Sequence, residues 1–192
     1  MRTQEQMVRR ITRAYRQTTP AQLAAGLGWY AEAWRVAQEI LPGNPYLAAG
    51  VIAALSPRCQ WSTNVAWATA LVQTAMEGRE CPPVHTTTMR AQAWRIAQGE
   101  PALNVLNGPK VRSFYENICG NTDAVTVDVH ATYVAAGHKD AITPAQYRRI
   151  ADAYRRAAKI LQVTPREVQA ATWVAARGVK PTDAGFHARA AA

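Results

Sequence analysis

A chain of 192 residues with 22 lysines and arginines against 13 acids carries a formal charge of +9 and a pI near 9.9, a balance that attracts polyanions and makes DNA or RNA phosphate the expected partner. Its hydrophobic fraction of 48% suits a soluble globular protein, and no apolar run approaches the roughly 18 residues of a membrane span. Cys59, Cys81 and Cys119 form no CxxC pair, so neither a metal nor a cofactor is expected, and free thiols suit a reducing cytoplasm.

The segment "MRTQEQMVRRITRAYRQ" is too polar for a secretory signal and reads as a first helix over 3–17. "TPAQ" at 19–22 then offers Thr as N-cap, Pro at the first helical position and Gln three after the cap, the signature of a helix start. Further helices are predicted over 28–41, 45–55, 62–77, 87–98, 109–119 and 128–137, punctuated at Pro42-Gly43, Gly78, Pro82-Pro83, Gly108-Pro109, Gly120 and Gly137. Only "AVTV" at 124–127 is strand-like. The same start signal recurs as "TPAQ" at 143–146, opening 144–161, and as "TPRE" at 164–167. In 144–161, Ile150, Ala153, Ala157 and Leu161 line a core face; after Thr164, Val168, Ala171, Thr172 and Ala175 share one, with Trp173 beside it. The expectation is one all-α multi-helix domain over 1–177 and a poorly ordered tail over 178–192.

The chemistry concentrates in "LNGPKVRSFYENICGNTDAVTVDVH", residues 106–130. Asn107-Gly108 makes a tight turn and Pro109 starts a helix, which puts Lys110 in the first turn, where free N–H groups and the helix dipole favour a phosphate. The same positive end disfavours an ammonium and makes Lys110 a candidate nucleophile. The extended residues 121–127 are long enough to bring the chain back along that helix, so Asp128 and Lys110 are expected to face a common cleft. An amine and a carboxylate there suit attack at a sugar's anomeric carbon. Asp128 is also a natural N-cap, and His130, inside the following helix, reads as a structural hydrogen-bonding residue.

At these residues the sequence resembles the helix-hairpin-helix DNA glycosylase superfamily, which carries a hairpin of the form L-P-G-V-G-x-K-T-A and then V-D-T-H at the start of a later helix. "LNGPKVRSF" matches its Gly and Lys as Gly108 and Lys110, and "VDVH" matches the later motif as Asp128 and His130. Upstream, "AGVIAALSPRCQWSTNVAWA" resembles the family's helix, Ser-containing loop and following helix, the loop being the part that enters the minor groove. The resemblance spans roughly 45 to 137. It departs from the family in the lost first glycine of the hairpin, in Pro109, in Tyr133 where an arginine is usual, and in lacking the four-cysteine cluster of some members.

The resemblance implies a glycosylase-like fold on double-stranded DNA, with Lys110 and Asp128 catalytic and Asn107, Gly108 and Arg112 on phosphate. Arg58 or Gln60 would fill the gap left by an extruded base, and Trp61 would stack on an unpaired one. The leading expectation is a DNA N-glycosylase, with abasic-site lyase action through Lys110. Enzymes of this broad group that attach amino acids or amines to activated thymidine supply a second reading, and a non-catalytic DNA-binding module a third.

Overall fold

The computed structural model describes residues 2–178, all of them helix, turn or irregular chain with no strand. In chain order the helices are α1 Gln4–Arg16, α2 Pro20–Ile40, α3 Pro45–Leu55, α4 Trp61–Met76, α5 Thr87–Ala97, α6 Ala102–Val105, α7 Pro109–Ile118, α8 Val129–Ala136, α9 Pro144–Leu161 and α10 Pro165–Arg177. The all-α expectation therefore holds. No described helix is long and apolar enough to cross a membrane, and no described group of His, Cys, Asp or Glu could hold a metal ion. The tail, beyond Gly178, lies outside the described residues.

The Thr-Pro starts do what their spacing dictates. Thr143 and Thr164 each accept an N–H from the residue three on, while the Gln146 or Glu167 side chain reaches back to the cap N–H. Thr19 and Gln22 exchange the same pair of bonds at α2. Thr3 and Gln6 do so at α1 without a proline. Each box satisfies two N–H groups that a helix start otherwise leaves open.

The chain folds as two compact units. One takes the residues up to Trp29 together with those from Asn121 on, and within it α1 packs on α8, α9 and α10. Its core gathers Met7, Ile11, Val125, Val127, Ala135, Ile150, Ala153, Tyr154, Ala157 and Val168. The other, Tyr30–Gly120, is built around α3, which touches α4, α5, α6 and α7. Ala48 through Leu55 are all buried, as an apolar run with no polar face requires. Gly50 lets α3 approach its neighbours, since a Cβ there would lie 2.7 Å from Ala102 Cβ and 3.0 Å from Ile96 Cγ2.

The structure revises the local reading at one place and adds to it at two. The "TPAQ" start at 19–22 and the helix expected over 28–41 are one continuous helix, α2, because Gly26 does not end it. This glycine faces α10, where a Cβ would collide with Ala171 Cα and come within 2.7 Å of Ala171 N, so it serves close backbone approach. The strand-like "AVTV" lies in irregular chain: its residues are buried, and the Tyr147 hydroxyl stands in for a neighbouring strand, donating to Val125 O (2.8 Å) and accepting from Val127 N (3.2 Å). The short helix α6 was hidden, four residues being too few for a periodic signal.

Candidate functional site

Asp128 caps α8. Its Oδ1 accepts from the backbone N–H groups of His130 (2.9 Å) and Ala131 (2.8 Å), and its Oδ2 accepts from the Trp173 indole N–H (3.0 Å). That second oxygen is thus engaged by a side chain of α10. Trp173 in turn packs against Trp29, ring centroids 5.1 Å apart and planes at 45°, and carries the Arg177 guanidinium 5.0 Å above its ring. The result is a half-buried carboxylate with three N–H donors, beside an aromatic pair and a cation. Beneath it Tyr154, fully buried, points its hydroxyl toward Ala131 O and Thr172 Oγ1 at 3.4 Å each. Burial, with Asp128 adding to it, pushes the Tyr154 phenol well above the ordinary range and keeps it a neutral support for α8.

Trp29, Trp173 and Arg177 were not expected near this carboxylate. Nothing local could have announced them, since Trp173 lies on another helix and reads, by spacing, as a core-flanking aromatic. His130 contributes its backbone N–H to the cap, whereas its ring Nδ1 is buried without a hydrogen-bond partner among the described residues. Tyr133 is exposed on α8 with the Lys139 ammonium 5.5 Å from its ring centre.

Lys110, Asn107, Gly108 and Arg112 belong to the other unit. Leu106-Asn107-Gly108 join α6 to α7, and Gly108 takes φ +85°, a left-handed value open to glycine at little cost. Pro109 occupies the first turn of α7, where its missing N–H costs nothing. Lys110 follows, half-buried, with no hydrogen bond or ion pair among the described residues. Arg112 is exposed, yet its Nη1 donates to the carbonyls of Leu103 (2.8 Å) and Leu106 (3.2 Å), tying α6 to the turn. Part of a guanidinium expected on phosphate thus closes the loop it belongs to.

Arg58, Gln60 and Trp61 also lie in this second unit, after α3. Arg58 is exposed and left-handed at φ +56°, which turns the chain sharply. Gln60 is exposed at the N-cap of α4, and Trp61 is half-buried as that helix's first residue. His85 pins the loop: its Nε2 lies 2.8 Å from Pro57 O, its Nδ1 accepts from Thr86 N (2.7 Å), and its ring packs on Trp67. His85 is itself left-handed at φ +54°. Nε2 donating and Nδ1 accepting is the arrangement of one neutral tautomer. Sequence reading missed His85 because its partner carbonyl is far upstream.

No curated protein and no solved structure matches the chain. A family model described as a family of unknown function, DUF7178, matches residues 1–180. That match covers nearly the whole sequence, so the chain belongs to the DUF7178 family.

Proposed function

We propose that this protein is an enzyme of DNA, most simply an N-glycosylase of helix-hairpin-helix type, in which Asp128 stabilises positive charge on the sugar as the base departs. The observation that carries this reading is the preorganisation of Asp128: both oxygens are held by N–H donors, so the carboxylate need not reorganise when charge grows opposite it. In this reading the α6–turn–α7 segment acts as the hairpin on phosphate, through Gly108, Asn107 and the free N–H groups of Arg112. Arg58, Gln60 and Trp61 form the element that enters the duplex. The Lys110 amine attacks the anomeric carbon, the N-glycosidic bond breaks with its electron pair leaving on the base, and loss of a proton with ring opening gives an imine.

The test is a panel of modified-base duplexes, with mass spectrometry of released bases and of DNA nucleosides, and borohydride trapping run in parallel. The expected result is base release lost in Asp128→Asn and a trapped protein–DNA adduct lost in Lys110→Ala. An adduct that persists in Lys110→Ala moves the nucleophile elsewhere. Asp128-dependent base release without any adduct selects a glycosylase that uses water. Nucleoside mass gain without base release selects the transferase of amines onto activated thymidine. Duplex binding with neither change leaves a DNA-binding module.

A further inference from the structure

Helix α1 carries an arginine face that the chemistry at Asp128 does not use. Residues 6, 9, 10 and 13 recur at the spacing of one face of α1, opposite the buried Met7, Val8, Ile11 and Thr12, and Arg2 lies just before the Thr3 cap. Arg2, Gln6, Arg9, Arg10 and Arg13 line an open hollow of about 240 Å³. Two of the arginines are held in place by the end of α8. Arg2 Nε donates to Ala136 O (3.0 Å), Arg10 Nε to Val134 O (3.0 Å) and Arg10 Nη2 to Tyr133 O (3.1 Å). These carbonyls lie in the last turn of α8, at the negative end of its dipole; Tyr133 O also accepts from the Gly137 N–H (2.9 Å). Gly137 makes room for them, since a Cβ there would stand 3.3 Å from Arg2 Nη2.

Arg9 and Arg13 are different. Both are exposed, and neither side chain has a hydrogen bond or ion pair among the described residues. Elsewhere arginines meet carboxylates: Arg35 with Glu32 and Glu39, Arg79 with Glu77, Arg95 with Glu100, Arg155 with Asp123. On α1 the one acid, Glu5, makes no ion pair among the described residues. Four guanidiniums lining one hollow, two anchored and two unspent, repel one another unless an anion lies among them. From Gln6 to Arg13 the helical part of this face runs roughly 10 Å at 1.5 Å per residue, long enough for two or three phosphates of one DNA strand at about 3.4 Å of axis each. An open hollow suits a passing backbone rather than an enclosed small molecule.

We infer that the arginine face of α1 is a phosphate-backbone site for duplex DNA, with Arg9 and Arg13 as its direct contacts and Arg2 and Arg10 as charges preset by the end of α8. The inference rests on the DNA-acting reading for its choice of polyanion. It also makes α1 part of the binding machinery, which no catalytic motif in the sequence announces.

The test uses the full chain and a labelled duplex of arbitrary sequence, with affinity measured by fluorescence anisotropy across a salt series. Arg9→Gln/Arg13→Gln is compared with wild type and with Arg79→Gln, whose charge is paired, after circular dichroism confirms that each is folded. Each lost phosphate contact removes about 0.9 from the slope of log K against log salt. The double variant is expected to lower the slope by about 1.8 and to weaken binding by a factor on the order of tens at 0.1 M salt, alike for unrelated sequences. Arg79→Gln is expected to match wild type. A double variant with wild-type slope and affinity overturns the inference and leaves the enzymatic reading standing. Loss confined to RNA, with duplex DNA binding unchanged, or a wild-type chain that binds no DNA, also overturns it. A DNA contact through α1 with no Asp128-dependent change in the DNA sinks the enzymatic reading alone.

Discussion

Asp128 shows how one side chain serves two structures at once. One oxygen holds the start of α8 and the other holds the Trp173 indole, so substitutions separate the two duties. Asp128→Asn keeps an oxygen for the cap but presents an amide N–H₂ to the indole N–H. The expected cost is about 1 kcal/mol by urea denaturation, with a helical spectrum retained. Asp128→Ala, which strands all three donors, is expected to cost more, about 2–3 kcal/mol. Trp173→Phe keeps the ring against Trp29 and removes only the donor to Oδ2. If carboxylate orientation matters to the reaction, kcat falls in this variant while duplex affinity stays at the wild-type value; an unchanged kcat would show that the cap alone fixes Asp128. Arg112 has a double duty of its own. Arg112→Gln is expected to loosen the α6–α7 turn as well as reduce charge, so a lowered melting temperature should accompany any loss of DNA binding.

At the scale of elements, the packing of α2 on α10 is set by Gly26. Replacing glycine by alanine in a helix ordinarily gains about 1 kcal/mol, but here the new methyl would collide with the Ala171 backbone, which cannot swing aside as a side chain would. Gly26→Ala is therefore expected to destabilise the protein by about 1–3 kcal/mol in denaturant titrations, whereas Gly43→Ala, with open space around it, should change stability little. The end of α7 supplies a pH dependence. Burial pushes the Cys119 thiol up to about 11 from its ordinary 9.0, and burial also raises its neighbour Tyr115. Both groups hold their protons more tightly when folded. The Cys119 contribution is intact below pH 9 and is lost as pH rises through about 11. Thermal melts between pH 8 and 11 should show a falling midpoint, less steep in Cys119→Ala; identical slopes would assign the alkaline loss to other groups.

For the molecule as a whole, the excess of cations over acids governs encounter with a polyanion rather than the fold. Binding to duplex DNA is expected to fall steeply with salt and to vary little with sequence, since phosphate contacts carry no sequence information. Competition between unrelated duplexes checks this: strong preference for one sequence at constant salt would mean that base edges are read directly.

Much of this architecture follows from local rules. The three Thr-Pro starts, the Asp128 cap, the glycine turn before Pro109 and the buried apolar run of α3 each depend on residues within a turn or two of one another, where propensity and periodicity act. The same locality made Lys110 and Asp128 legible as candidates. What lay beyond it was decided by chain segments far apart in sequence: Tyr147 replacing a strand for "AVTV", Trp173 and Trp29 beside Asp128, His85 fastening Pro57, Arg2 and Arg10 capping α8, and Gly26 meeting Ala171. A side chain's spacing tells which helical face it occupies. Which distant carbonyl, ring or backbone meets that face is settled only when the helices pack, because buried polar groups must then find partners wherever the tertiary structure brings them.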